Sequence, residues 1–198
     1  SPMNLYLGEA LAKMENTESA NVTASGMGAI TSVLMQLCKA GDHIISSRTI
    51  YGGTYAFLKN FLPPFNITTT FVDINNFESI ENSIHENTKI IYCETVSNPL
   101  LEVADLRKLA EICKKHNLHF MIDAAQTAGV IDVDFKRLNL SALAFTGHKG
   151  LLGPQGVGGF LIKNELVNEI SPFIEGGTGS LSESEFQPEY MPDKFESG

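Results

Sequence analysis

The sequence has little positive charge and no long apolar run, and these two shortages exclude several classes of protein. Only 14 of the 198 residues are Lys or Arg, against 23 Asp or Glu, so the net charge is −9. The basic residues are scattered, whereas a nucleic-acid site needs clustered Lys and Arg to neutralise phosphates. No apolar segment is long enough to cross a bilayer, and no targeting signal stands at the start. We therefore expect no nucleic-acid partner, no membrane span and a cytoplasmic location.

Cysteine is also scarce. Cys38, Cys93 and Cys113 lie far apart, and each falls inside an apolar helix or strand pattern. A zinc site needs ligands at closer spacing, and an odd number of buried thiols favours the reduced state. We expect three reduced core thiols and no metal site.

The order of apolar runs predicts the fold class. Strand-length and helix-length runs alternate along the chain, and 43% of the residues are apolar, as in an ordinary globular protein. The predicted strands are 20–24, 43–47, 67–72, 89–94, one ending at Asp123 and one from Leu143, and the predicted helices are 5–14, 27–39, 54–61, 77–85 and 106–116. Such alternation favours a single α/β domain with three αβα layers, in which helices cover both faces of a mostly parallel mixed sheet.

Two apolar runs end in residues that suit one cofactor. Phe120-Met-Ile-Asp123 leads into Ala-Ala-Gln-Thr, and Leu143-Ala-Phe-Thr146 leads into Gly-His-Lys149. Open α/β sheets bind ligands at the carboxyl ends of strands, so Asp123 and Lys149 are expected at comparable strand ends. A lysine as Schiff base and a carboxylate on a pyridinium nitrogen are what pyridoxal phosphate requires. Taken alone, the same pair fits a surface ion pair.

Two further loops have an open interpretation. Ala24-Ser-Gly-Met-Gly-Ala-Ile30 runs from a strand into a helix, and its first N–H groups could hold an anion that Gly26 and Gly28 allow to approach. Ser25 before a helix is equally an ordinary N-cap. Tyr51, also past a strand end, suits stacking on a cofactor ring or is a loop tyrosine without a ligand.

The glycine-rich stretch after Lys149 leads to a return strand that ends near Ile162. It is not a nucleotide P-loop, because no Gly-Lys-Ser/Thr closes it and no strand leads into a G-x-G-x-x-G helix. A nucleotide-binding α/β domain is therefore the weakest of the interpretations that the sequence allows.

About residues 3–117 resemble the Cys/Met-metabolism pyridoxal phosphate enzymes, especially O-acetylhomoserine sulfhydrylase, methionine γ-lyase and cystathionine γ-synthase. The motifs that carry the resemblance are Ala24-Ser-Gly-Met-Gly-Ala-Ile30, Tyr51-Gly-Gly-Thr54 and Glu94-Thr-Val-Ser-Asn-Pro99. It implies that the cofactor phosphate is held by Ser25, Gly26 and Met27, that Tyr51 stacks on the ring and that Asn98 bonds the ring hydroxyl.

About residues 118–198 resemble instead the class V aminotransferases, in particular their cysteine-desulfurase-like branch. The motifs are Asp123-Ala-Ala-Gln126, Thr146-Gly-His-Lys149 and two segments at 175–180 and 188–198. This resemblance implies the Schiff base on Lys149, the ring nitrogen on Asp123, the ring hydroxyl on Gln126, and the phosphate on Thr146 and His148. His148 is otherwise a neutral hydrogen-bonding residue. The other four histidines are expected to be surface or satisfied core residues.

The two resemblances disagree beyond residue 118. A Cys/Met-type chain would have Asn-Thr after the aspartate and Ser-x-Thr-Lys at the lysine, unlike the Ala-Ala-Gln-Thr and Thr-Gly-His-Lys of this sequence. We interpret the chain as a composite of two fold-type I halves joined near residues 116–119, with an unusual natural relative as the alternative. From the two resemblances we expect an N-terminal arm and a C-terminal small domain to lie outside this sequence.

The leading hypothesis is a pyridoxal-phosphate-binding catalytic domain of a sulfur-amino-acid enzyme, in which Lys149 and Asp123 are the catalytic residues. The reaction would be β- or γ-elimination or replacement, or cysteine desulfuration, on a small amino-acid substrate. The resemblance implies a homodimer with the site at its interface, so we expect the chain alone to be slow or inactive. The alternative is a scaffold or binding module that keeps the cofactor pocket without turnover.

Overall fold

The computed structural model shows a seven-stranded sheet between two layers of helices. It describes residues 2–15, 17, 20–167 and 170. The strands are β1 Asn21–Thr23, β2 His43–Ser47, β3 Thr68–Val72, β4 Thr88–Glu94, β5 His119–Asp123, β6 Ala142–Thr146 and β7 Gly158–Ile162. The helices are α1 Pro2–Met14, α2 Gly26–Leu37, α3 Gly52–Ala56, α4 Phe77–Asn82, α5 Leu106–His116 and α6 Asn164–Val167.

The sheet is mixed and mostly parallel, as predicted. Its strand order is β1-β7-β6-β5-β4-β2-β3, and β7 alone runs antiparallel to its neighbours β1 and β6. Two glycines let β7 fit there. A Cβ on Gly158 would overlap the backbone of Ser25, and one on Gly159 would lie 2.5 Å from the Asn21 carbonyl oxygen. The strand can therefore lie directly against the start of α2.

The core has two halves because the side chains of the central strands alternate between the two faces of the sheet. In β5, Met121 packs with the α2 side, while Phe120 and Ile122 pack with the α4 and α5 side. The apolar residues of α2 that face the sheet are Ala29, Ile30, Val33 and Leu34. Those of α5 are Leu109, Ile112 and Cys113. The three-layer αβα prediction is confirmed.

Local chemistry fixes the ends of α5, which spans the predicted residues. Asp105 caps the start by accepting a hydrogen bond from the Lys108 N–H at 3.0 Å. Asn117 ends the helix in the left-handed conformation, at φ 53°. The predicted join at 116–119 falls on this short connection into β5.

Three local predictions differ from the structure. The predicted helix 54–61 is α3 followed by a π-helical turn, Phe57–Phe61, in which the Leu62 N–H donates to the Phe57 carbonyl at 3.1 Å. The wider turn comes directly before Pro63, which has no N–H to continue a regular helix. The helix predicted to reach residue 85 ends at Asn82. Lys149 lies in a turn three residues beyond β6 and not at the strand end itself.

The cysteine prediction is confirmed. Cys38, Cys93 and Cys113 are buried and free. Burial raises the pKa of the Cys38 and Cys113 thiols to about 12, so both are protonated and unreactive near neutrality.

His43 is a satisfied core residue. Its ring is 3% exposed and forms hydrogen bonds of 2.9 Å with the hydroxyls of Thr88 and Thr70. Burial, with His85 alongside, lowers the pKa of His43.

The described residues include neither a helix that could span a membrane nor a cluster that could bind a metal ion. No helix among them is long and apolar enough to cross a membrane. No group of three or more of their His, Cys, Asp or Glu side chains could hold a metal ion. The two motif segments at 175–180 and 188–198 lie outside the described residues.

Candidate active site

A cavity of about 370 Å³ opens at the carboxyl ends of the central strands. Its lining includes all ten site residues predicted from the sequence: Ser25, Gly26, Met27, Tyr51, Asn98, Asp123, Gln126, Thr146, His148 and Lys149. These residues come from the loops that follow β1, β2, β4, β5 and β6. The parallel arrangement of β2, β4, β5 and β6 is what brings their ends to one edge of the sheet.

The start of α2 forms one wall of the cavity. Ser25 is its N-cap, because the Ser25 hydroxyl accepts a hydrogen bond from the Gly28 N–H at 2.9 Å. A Cβ on Gly26 would lie 3.1 Å from the Thr146 Cβ, so glycine allows α2 to approach the end of β6 closely. Thr146 Oγ1 is 3.0 Å from His148 Nδ1 on the same wall. The N-cap interpretation of Ser25 is therefore right, and the residue also lines the cavity.

Tyr51 lies at the N-cap position of α3 and is 49% exposed. Its ring packs over Gly53, where an added Cβ would come within 2.7 Å of the Tyr51 Cε1. Met27 packs beside them, since its sulfur would be 3.5 Å from the same Cβ and accepts a hydrogen bond from the Thr54 hydroxyl at 3.5 Å. The Tyr51 ring is thus held in place by packing against Gly53 and Met27.

The floor of the cavity is the end of β5. Asp123 is only 6% exposed, and its Oδ1 accepts a hydrogen bond from the Ala125 N–H at 2.7 Å. The pKa of Asp123 is raised to about 7, mainly by burial and also by nearby Glu94, while the hydrogen bond from the Ala125 N–H and the charge of Lys149 limit the rise. The carboxyl group is thus poised to change its protonation state near neutrality when a cation approaches.

Two turns hold Lys149 and Gln126 next to the floor. Thr95 and Thr127 form a buried hydroxyl pair at 2.8 Å beneath the turn that carries Gln126. The turn of Lys149 lies against that turn, since a Cβ on Gly150 would be 2.5 Å from the Ala128 carbonyl oxygen. Contact between the two turns explains why an acid and a lysine 26 positions apart in the sequence share one cavity.

Glu94 also lines the cavity, although it was not among the site residues predicted from the sequence. It is 5% exposed, pairs in register with Asp123 across β4 and β5, and accepts hydrogen bonds from the N–H groups of Tyr51 and Asn98. Burial raises its pKa, while the two backbone N–H groups and Lys149 oppose that rise. The available signal was the charged residue at the end of the apolar run 89–94, the same signal that identified Asp123.

Comparison with known protein families gives a match to the family described as "Cys/Met metabolism PLP-dependent enzyme" over residues 1–142. The chain belongs to this family. The matched residues include eleven of the fourteen that line the cavity, and the match ends before the other three, Thr146, His148 and Lys149.

Individual relatives of this family extend the comparison past Lys149. A cystathionine γ-lyase from Bacillus subtilis is 33% identical over 184 residues, which cover 91% of this chain and 48% of the relative. A match of that coverage necessarily spans residues 123 to 149. A methionine γ-lyase from Arabidopsis thaliana is 42% identical over 125 residues, 62% of this chain and 28% of the relative. The chain thus matches about half of the length of the Bacillus subtilis relative and about a quarter of the length of the Arabidopsis thaliana relative.

A solved structure supports the same family. The chain superposes on a putative O-acetylhomoserine (thiol)-lyase from Campylobacter jejuni with a TM-score of 0.77 and 29% identity, over 85% of this chain and 42% of that one. That protein carries N′-pyridoxyl-lysine-5′-monophosphate. Its fold is the fold-type I arrangement expected for a pyridoxal-phosphate-dependent enzyme.

The residues of this Cys/Met-family chain fit pyridoxal phosphate. Gly26 lets the first turn of α2 lie close to Thr146 in the cavity wall, and the N–H groups of such a helix start suit a phosphate. The Asp123 carboxyl is buried with Glu94 nearby, and a protonated ring nitrogen would place a cation against it. A cavity of about 370 Å³ lies within the usual range for a small-molecule site.

Proposed function

We propose that the chain is the cofactor-binding catalytic domain of a pyridoxal-phosphate-dependent enzyme that acts on a sulfur-containing amino acid. The reaction class is β- or γ-elimination or replacement, or cysteine desulfuration. The observation that carries the proposal is the convergence of Asp123, Lys149 and the start of α2 on one cavity. A carboxyl group, an amine and an anion site at one edge of the sheet suit the ring nitrogen, the Schiff-base carbon and the phosphate of pyridoxal phosphate.

Each wall of the cavity has its own part in binding. The N–H groups of the first turn of α2, together with Thr146 and His148, would hold the phosphate. Tyr51, with its ring seated over Gly53, would cover one face of the cofactor ring. Asn98 and Gln126 line the same cavity, and either would donate an amide hydrogen to the ring hydroxyl.

The chemistry then depends on Asp123 and Lys149. Pyridoxal phosphate, when bound, supplies an electron sink for the carbanion formed at the substrate α-carbon. Asp123 in its ionised form keeps a proton on the ring nitrogen, because a close anion favours the cation. Lys149 would attach the cofactor through its side-chain amine, and as a free amine it would take the proton from the substrate α-carbon.

Substrate turnover tests the proposal against the alternative of a scaffold that binds the cofactor only. The chain loaded with pyridoxal phosphate is incubated with cysteine, homocysteine or O-acetylhomoserine plus sulfide. With the loaded chain in large excess over substrate, we expect slow release of sulfide or a keto acid, or slow formation of a new sulfur amino acid, as the low activity expected of the chain alone requires, and no product from Lys149→Ala. Bound cofactor with no product from any of the three substrates would support the scaffold instead.

We further propose that residues 118–198 act as a class V type half joined to a Cys/Met type half. The support is the sequence Asp123-Ala-Ala-Gln126 and the pairing of Thr146 with His148 on the cavity wall. The two halves offer different amides, Gln126 and Asn98, to the ring hydroxyl.

Comparing Gln126→Ala with Asn98→Ala tests this second proposal. If the class V type half acts as such, Gln126→Ala should shift the visible absorbance of the bound cofactor more than Asn98→Ala does. A larger shift in Asn98→Ala would show that the cavity works as an ordinary Cys/Met site throughout.

A further inference from the structure

The buried side chain of Glu94 joins two loops, one that follows β2 and one that follows its own strand, β4. Its Oε1 accepts a hydrogen bond from the Tyr51 N–H at 2.6 Å, and its Oε2 accepts one from the Asn98 N–H at 2.9 Å. Tyr51 follows β2, whereas Asn98 follows β4, so a single carboxylate fixes the backbone of both loops. Both contacts go to the backbone, and each is adjacent to a side chain that lines the cavity.

The same two loops are joined a second time at the rim. The Thr49 hydroxyl donates to Glu102 Oε2 at 2.8 Å, and Ser97 and Glu102 hold each other through the Ser97 hydroxyl and the Ser97 N–H. The rim contact is partly exposed, whereas Glu94 is 5% exposed. A hydrogen bond to a buried charge contributes more than one at an exposed rim, because water does not compete for it.

A buried carboxylate is costly, and its partners show what offsets that cost. The two backbone N–H groups and the charge of Lys149 all favour the ionised form of Glu94, while burial opposes it. An apolar side chain at this position would leave the N–H groups of Tyr51 and Asn98 without their acceptor. Glu94 lines the cavity, but its two carboxylate oxygens accept hydrogen bonds from the N–H groups of Tyr51 and Asn98. Its contribution therefore acts through the residues that it holds.

We propose that Glu94 is a positioning residue, which sets the Tyr51 ring and the Asn98 amide in one arrangement around the cofactor ring. The inference rests on the proposed binding of pyridoxal phosphate in this cavity and adds the group that orients its contacts. The Tyr51 ring covers the ring face and Asn98 approaches its hydroxyl, so a shift of either loop changes how tightly and at what angle the cofactor is held.

The variant Glu94→Gln tests this role, because the amide keeps the size of the side chain but presents a donor to one of the two N–H groups. The rate of pyridoxal phosphate release and the visible circular dichroism of the bound cofactor are measured. We expect release to become about 10- to 100-fold faster, the usual effect of losing a hydrogen bond to a charged group. The visible dichroism should fall, while the far-ultraviolet spectrum stays unchanged.

A matched control and a double-mutant cycle separate positioning from a merely structural role. Glu102→Gln keeps an acceptor for Thr49, so it should leave release within about twofold of the parent chain. In a Tyr51→Ala background, the effect of Glu94→Gln on release should shrink to a few-fold, because residues that act through one another are not additive. Equal effects in both backgrounds would overturn the proposal.

Glu94→Asp is a second variant, which tests the same role if Glu94→Gln does not fold. Aspartate keeps the charge but is one methylene shorter, so it reaches one of the two N–H groups, and its release rate should lie between those of the parent chain and Glu94→Gln. Release and dichroism equal to those of the parent in the folded variants would overturn the proposal. If the parent chain itself takes up no pyridoxal phosphate, the proposed function fails first, and the two failures are thus distinct.

Discussion

Replacing Asp123 with asparagine should make the cofactor-free chain more stable in mild alkali and at the same time weaken its binding of pyridoxal phosphate. Burial, with Glu94 nearby, raises the pKa of Asp123 from its ordinary 3.8 to about 7. The folded chain therefore binds more protons than the unfolded chain between these two values. Since stability falls with pH wherever the folded state binds more protons, the free energy of unfolding should fall as pH rises from 3.8 through about 7.

The expected size follows from that shift of pKa. One unit is worth about 1.4 kcal/mol, so the ionised Asp123 should cost the cofactor-free fold about 4 kcal/mol above neutrality. Asparagine has no such charge, and Asp123→Asn should remove this part of the pH dependence. The amide cannot keep a proton on the ring nitrogen, so the affinity for pyridoxal phosphate should fall about 10- to 100-fold.

Urea unfolding of the cofactor-free chain at about pH 4 and about pH 8 measures the first effect. Asp132→Asn, at an exposed carboxylate outside the cavity, is the control and should follow the parent chain at both pH values. The same pH dependence in Asp123→Asn as in the parent would show that the Asp123 carboxyl does not carry the buried charge.

Replacing Lys149 with alanine should abolish covalent attachment of pyridoxal phosphate and leave the fold intact. Lys149 is half-buried and lies in a turn, so it adds little to the core, and we expect a change in stability of about 0.5 kcal/mol or less. The first turn of α2 and the Tyr51 ring, which we propose bind the phosphate and cover the cofactor ring, remain in this variant, so weak and reversible binding should persist. The visible band should then be lost on gel filtration.

Two comparisons make the Lys149 result specific. Lys149→Arg keeps the positive charge beside Glu94 and Asp123 but cannot form a Schiff base, so it should also lose covalent attachment. Lys136→Ala removes an exposed lysine away from the cavity and should behave like the parent chain. Normal retention of the cofactor by Lys149→Ala would refute the role of this residue.

The fold and most of the site could be predicted because both depend on local patterns. Apolar runs of strand length place Asp123 at the end of β5 and Ser25 at the start of α2, and the parallel order then brings both to one edge. The helix Leu106–His116 has the predicted bounds, and Asp105 and Asn117 cap its two ends in the structure.

The parts that could not be predicted depend on contacts between distant segments. The π-helical turn at 57–61 follows from how α3 leads into Pro63, and periodicity alone does not distinguish it from a regular helix. The contribution of Glu94 rests on the N–H groups of Tyr51 and Asn98, 43 and 4 positions away in the sequence. No pattern in the sequence shows that one buried carboxylate meets both.

The most direct measurement is the identity of the lysine that carries the cofactor. The chain is loaded with pyridoxal phosphate, reduced with borohydride, digested and mapped by mass spectrometry. The site described above predicts a single stable adduct on Lys149. An adduct on other lysines with Lys149 unmodified, in a chain that is folded and saturated with cofactor, would contradict it.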